Sequence, residues 1–154
     1  LPQLPSLQIA VVGAGPYRAQ LEQAAQQYSN LQLLSPQSPE QLKAQFERSK
    51  CFLSLSRNES FGLVMTEAMA CYTPVIATDT DGSKAQVRHG QNGYCVSQQD
   101  ESEILAQLVG AIQRLLSLPA AEYQQLQQQA FADSRQYLVS TVAQRLTALY
   151  SELG

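Results

Sequence analysis

The chain has 154 residues, 44% hydrophobic and only 15% charged, which is one ordinary domain's length with enough apolar material for a single core. A formal net charge of −3 and a pI near 5.1 argue against a general nucleic-acid or anionic-membrane binder. No apolar run approaches the roughly 18–20 residues of a membrane span, and the start shows neither an initiator Met nor a basic-then-apolar signal pattern.

Glutamine supplies much of the polarity: there are 23, five of them within residues 121–130. They are spread through periodic segments, so they read as solvated helix faces. Up to Gly90 there are seven basic and seven acidic residues, and after it three and six, so the acidity sits in the C-terminal third. Cys51, Cys71 and Cys95 have no CxxC spacing and lie in apolar segments, as expected of buried, reduced thiols in a cytosolic protein.

In chain order, residues 7–12 predict a strand stopped by Gly13-Ala14-Gly15-Pro16, then a helix over about 17–28 with Leu21, Ala24, Ala25 and Tyr28 on one face. Residues 31–34 predict a second strand. Ser38 caps a helix with Pro39 in its first turn and Leu42 and Phe46 facing inward. Residues 51–55 predict a strand, 62–71 a helix and 74–78 another strand. After a polar stretch, Gly90-Gln91-Asn92-Gly93 turns into a short strand at 94–96. The remainder reads as helical, over about 103–117, 119–131 and 134–153. The last carries apolar residues at Leu138, Val142, Leu146, Leu149 and Leu153. Strands alternating with helices imply an α/β fold, a doubly wound, Rossmann-like parallel sheet with a helical C-terminus, in one domain over 1–154. In such sheets ligands bind outside the C-terminal strand ends.

Gly13-Ala14-Gly15 stands where a dinucleotide fingerprint would, but its third glycine position is Arg18 and Pro16 intrudes, so an NAD site is not expected. The denser signal runs from Ser56 to Cys71. The helix there is apolar on nearly every side, which predicts burial. Glu67 would then be a buried carboxylate with no Lys or Arg three or four residues away, a costly arrangement unless donors such as a ligand diol reach it. The amides of Phe61, Gly62 and Leu63 open this helix, where its positive end attracts an anion. Ser60 reads as the N-cap. Glu59, just before, can accept from sugar hydroxyls or oppose a developing positive charge.

Glu59-Ser60-Phe61-Gly62-Leu63 with Glu67-Ala68-Met69-Ala70-Cys71 resembles the E-x7-E motif of family 4 retaining glycosyltransferases of the GT-B fold. The similarity extends to Val12-Gly13-Ala14-Gly15-Pro16, Thr73-Pro74-Val75-Ile76-Ala77-Thr78-Asp79 and Asn92-Gly93, in family order along essentially the whole chain. The resemblance implies the C-terminal, donor-binding half of such an enzyme, without its first strand or its N-terminal acceptor domain. It implies Glu67 on the ribose hydroxyls and Glu59, a catalytic candidate, on the transferred sugar. The Phe61, Gly62 and Leu63 amides would hold sugar and distal phosphate, with Ser60, Gly13 and Gly15 nearby and Leu34 and Ser35 toward the base. The expected partners are a nucleotide-sugar donor and the acceptor domain, with no nucleic acid, no cofactor and no metal. The expected location is cytoplasmic, with membrane association conferred by the N-terminal domain. The residues alone would not catalyse transfer.

Three departures concern the sugar side: Tyr72 stands where the family commonly has glycine, Asp81-Gly82 replaces Gly-Gly, and Ala85 replaces a glutamate in the following short helix. Asp79-Thr80-Asp81 spells the metal-binding DxD of the other glycosyltransferase fold but reads here as a solvated loop. His89 reads as a surface residue, and Lys84 and Arg88 as a solvated face rather than phosphate ligands. Two alternatives remain open: a non-catalytic nucleotide-sugar-binding module, and a sugar-nucleotide epimerase.

Overall fold

The computed structural model describes Leu4 and residues 6–152. The chain packs as two compact units, Leu1–Ala44 and Gln45–Gly154. In the first, β1 (Ile9–Val12) pairs in parallel with β2 (Leu31–Leu34), joined by α1 (Arg18–Gln27). The half-buried residues of α1 include Leu21, Ala24 and Ala25, the face set by the apolar spacing, and Tyr28 just past the helix is half-buried too. Ser38 opens α2 (Pro39–Arg48) through a reciprocal cap: its Oγ accepts the Gln41 amide at 3.3 Å, and Gln41 Oε1 accepts the Ser38 amide at 2.9 Å.

The second unit holds a parallel sheet ordered β3-β4-β5, from β3 (Phe52–Ser54), β4 (Val75–Thr78) and β5 (Gly93–Val96). Every residue of β4 is buried, as in a central parallel strand covered on both faces. Two helices pack on it, α3 (Leu63–Ala70) and α5 (Glu101–Leu116). The five parallel strands thus form one two-stranded and one three-stranded sheet, flanked by helices in the α/β, Rossmann-like manner expected.

After the short α4 (Asp81–Gln86), the remaining helices are α5, α6 (Ala120–Ser134) and α7 (Val139–Glu152). Ile112 and Leu115 of α5 and Leu126 and Ala130 of α6 are core residues. Exposed Gln124, Gln125 and Gln128 bear out the solvated-face reading, whereas Gln127 donates to the Tyr72 carbonyl and Gln129 to Asp133. The single helix expected from residue 134 onward is broken. A 3-10 turn at Arg135–Tyr137 is followed by extended Leu138, φ −61° and ψ 139°, before α7 begins. On α7, Val142, Leu146 and Leu149 are exposed, as is Leu138 before it, and Leu153 lies outside the described residues. No single helix among the described residues is long and apolar enough to cross a membrane.

Candidate functional site

The sheet of the second unit delivers the segment carrying Glu59 and Glu67. β3 ends at Ser54, residues 55–62 form a loop, and α3 starts at Leu63. Gly62, at φ 78°, is the N-cap and makes no side-chain cap, so Ser60 does not play the capping role expected of it. The left-handed N-cap favours glycine, and any larger residue would also displace neighbouring side chains. An added Cβ would stand 2.5 Å from Met65 Cε and 3.0 Å from Glu59 Cγ. The Met65 amide closes onto the Gly62 carbonyl at 2.9 Å, so the amides of Gly62, Leu63 and Val64 precede any intrahelical acceptor. Glu59 is half-buried and lines a hollow of about 300 Å3 with Ser54, Ser56, Gly62, Val64 and Met65.

The burial expected of α3 is only half realised. Met65, Ala68 and Met69 are buried, the helix packing mainly on α6, while Leu63, Val64, Glu67 and Ala70 are exposed. Leu63, Glu67 and Ala70 recur every three to four residues and make one stripe. Glu67 therefore keeps its solvent and pays no burial cost. An all-apolar sequence cannot mark which side its neighbours will cover.

The turn out of α3 keeps its geometry without the expected glycine. Tyr72 takes φ 58°, with the Tyr72 and Thr73 amides donating to the Met69 and Ala68 carbonyls at 3.0 Å each. That is a Schellman closure with tyrosine in the left-handed position. Its ring stacks on Phe131, centroids 4.2 Å apart and planes 10° apart, which offsets the conformational cost.

The loop is held by side chains that its own sequence does not announce. Thr78 Oγ1 donates to the Ser56 carbonyl at 2.6 Å, and the Gly82 amide to the Glu59 carbonyl at 2.8 Å. Gln86 Nε2 donates to the Phe61 carbonyl, and Thr66 Oγ1 donates to Gln86 Oε1 at 2.7 Å. The Phe61 ring meets Tyr137 edge-on at 5.1 Å, and the Tyr137 hydroxyl donates to the Ala85 carbonyl at 3.1 Å. Behind Gln86, fully buried Asn92 donates to the Gln86 carbonyl at 2.9 Å and to Asp133 Oδ2 at 2.7 Å.

The remaining candidates fall in the first unit. Gly13 follows β1 at φ 126°, its amide donating to the Leu34 carbonyl at 3.0 Å, and the Gly15 carbonyl accepts the Arg18 amide at 3.1 Å. Arg18 Nη1 reaches the Gly13 and Leu34 carbonyls at 3.2 and 3.4 Å, so the residue in the third-glycine position spans the ends of both strands. Ser35 is exposed just beyond β2, and its carbonyl accepts from Gln37 Nε2 at 2.9 Å.

Asp79-Thr80-Asp81 is a helix entry rather than a free loop. Thr80 and Ser83 make a reciprocal cap, Asp79 Oδ1 accepts the Gln98 amide at 2.9 Å, and Lys84 lies 3.7 Å from Asp79 Oδ2. Arg88 is exposed, as expected, and also grips Asp133, with Nη2 2.6 Å from Oδ1 and Nε 3.2 Å from Oδ2. Burial alone would raise the Asp133 carboxyl. Hydrogen bonds from Arg88, Asn92 and Gln129 outweigh it and hold the carboxyl below its usual range. His89 is exposed, and its Nδ1 accepts the Cys95 amide at 3.2 Å. The cysteines are half-buried rather than buried, and burial still pushes the Cys51 thiol up to about 11. A hollow of about 670 Å3 beside Tyr94, Arg114 and Glu122 contains none of the predicted site residues.

Comparison with known proteins places this geometry in context. The chain is 33% identical over 126 residues to the D-inositol 3-phosphate glycosyltransferase of Corynebacterium urealyticum, covering 80% of this chain and 28% of that protein. It is 43% identical over 90 residues to the enzyme of the same name from Rhodococcus erythropolis, covering 56% and 20%. The chain thus spans less than a third of the length of these relatives. Among solved structures, sucrose-phosphate synthase from Thermosynechococcus elongatus superposes with a TM-score of 0.77 at 27% identity, covering 99% of this chain and 40% of that one. The pneumococcal O-GlcNAc transferase GtfA, solved with UDP and GlcNAc, reaches 0.82 at 20% identity, covering 98% and 30%, a likeness of fold. The shared architecture is that of the C-terminal half of a GT-B glycosyltransferase. With residues 1–133 matching the family described as glycosyl transferases group 1, the chain belongs to that family.

Proposed function

We propose that these residues bind the nucleoside-diphosphate-sugar donor of a retaining glycosyltransferase, with the acceptor held by parts of the protein outside them. The observation that carries the reading is the Glu59–Glu67 segment. It combines a half-buried carboxylate beside a hollow, a glycine N-cap whose neighbouring amides precede any intrahelical acceptor, and an exposed carboxylate one turn into the helix. A ribose cis-diol offers two hydroxyl donors to the two oxygens of Glu67. The diphosphate carries charge to the positive end of α3, where the Gly62 and Leu63 amides neutralise it as it leaves. Glu59 faces the sugar and opposes the positive charge developing at its anomeric carbon. The acceptor attacks from the face the diphosphate vacates, so configuration is retained. Charge neutralisation is assigned to amides rather than a metal, a reading supported by the engagement of Asp79 with Gln98 and Lys84. The half-buried thiols of Cys51 and Cys95 support a cytoplasmic site of action.

Because Glu67 is exposed, Glu67→Ala separates binding from folding: the melting temperature should stay put while nucleoside-diphosphate affinity falls at least about ten-fold, since a single hydrogen bond to a charged group is worth about 1.5–3 kcal/mol. Calorimetry with UDP, GDP and ADP reads this, with Asp81→Ala as the control expected to bind like wild type. Equal affinity in the Glu67 variant would remove the ribose assignment.

A further inference from the structure

The loop that presents the Gly62 amide is gripped from behind at its carbonyls. The Gly82 amide takes the Glu59 carbonyl, and Gln86 Nε2 takes the Phe61 carbonyl and lies 3.5 Å from that of Gly62. In a trans peptide unit the C=O and the following N–H point in opposite directions. A donor holding the Phe61 carbonyl on the α4 side therefore turns the Gly62 N–H away from α4. We infer that Gln86 is a positioning residue for diphosphate recognition, aiming the Gly62 amide at the ligand without touching the ligand itself; this rests on the donor-site reading above.

The choice of glutamine has a chemical reason. Gln86 is 2% exposed, so each end of its carboxamide needs a partner. Thr66 Oγ1 donates to Oε1 at 2.7 Å, which leaves the NH2 end for Phe61. A glutamate would oppose carboxylate and carbonyl oxygens, and a methionine would match the length but lack the donor. Asn92 bonds the Gln86 main chain and Asp133 of α6, so the grip is anchored in the core of the unit.

The test is the ratio of diphosphate to monophosphate affinity, measured by calorimetry with UDP, GDP and ADP and with UMP, GMP and AMP. Wild type should prefer one diphosphate over its monophosphate. Gln86→Met should lose about ten-fold of that preference while keeping monophosphate affinity within about two-fold, since the aimed amide serves the distal phosphate. An unchanged preference overturns the inference, and so does an equal loss of both ligands, which marks a general structural role. If Gln86→Met does not fold, Thr66→Val decides on the same ratio, because it removes only the hydroxyl that orients the carboxamide. A drop of about three-fold supports positioning, and an unchanged ratio refutes it. Failure of wild type to bind any of the three diphosphates overturns the donor-site reading and this inference with it.

Discussion

At Gly82 the main chain of α4 lies close against the Glu59–Gly62 loop, and Gly82→Ala tests that approach. The new Cβ would stand 2.6 Å from the Phe61 carbonyl oxygen and 2.8 Å from both its carbonyl carbon and its amide nitrogen. All three are main-chain atoms, so no rotamer change relieves the clash. Overpacking of this kind costs about 1–3 kcal/mol. Moving α4 back also stretches the 2.8 Å bond from the Gly82 amide to the Glu59 carbonyl, worth about 1 kcal/mol. Alanine's better helix propensity returns about 0.5–1 kcal/mol, leaving a net loss of about 2 kcal/mol. Gly110 supplies the control. It is exposed within α5 and an added Cβ meets nothing within 4 Å, so Gly110→Ala should gain about 0.5–1 kcal/mol. Urea denaturation at 25 °C, with a slope of about 1–3 kcal/mol per molar, should place the two midpoints about 1 M or more apart with wild type between. If the loop yields instead, stability recovers and nucleoside-diphosphate binding drops. Gly82→Ala with wild-type midpoint and wild-type binding would refute the close-approach argument.

Tyr72 should show the left-handed cost directly. Tyr72→Ala loses the Phe131 stack and keeps the strained backbone, whereas Tyr72→Gly loses the stack and relieves the strain, so thermal melts should find the alanine variant less stable by about 1 kcal/mol. Asp133, held below its ordinary carboxylate value, contributes stability that is complete above the unfolded-state pKa and is lost as pH falls through the folded one. Asp133→Ala should therefore be less stable than wild type by about 2 kcal/mol at pH 7 in urea titrations, with the gap closing below about pH 4; a gap independent of pH would contradict the Arg88–Asn92–Asp133 account.

Much of the architecture was legible because its signals are local. The Ser38 cap needs only Gln41 three residues on, the α1 face needs only a 3.6-residue period, and β2 begins and ends where its apolar run does. The Glu59–Glu67 segment was equally legible, since a strand, a polar loop with glycine and a helix follow one another within nineteen residues. The supports of that segment were not. Gln86 reaches Phe61 across 25 residues, Thr78 reaches Ser56 across 22, and nothing near Gln86 distinguishes it from the chain's other glutamines. The same holds for Tyr137, whose place against Phe61 follows from the break between α6 and α7 in what reads as one continuous helix.

The sequence by itself therefore determined the order of strands and helices, the Ser38 cap, and the residue types available at the strand ends, because propensity and periodicity act over a few neighbours. Tertiary structure decided that α3 keeps Glu67 in solvent, that Gly62 rather than Ser60 ends the loop, and that α4 grips it from behind. Those outcomes depend on which surfaces meet across the chain. A hydrogen bond or a close approach between distant residues costs chain entropy that only the assembled core repays, and it leaves no mark on the residues beside it.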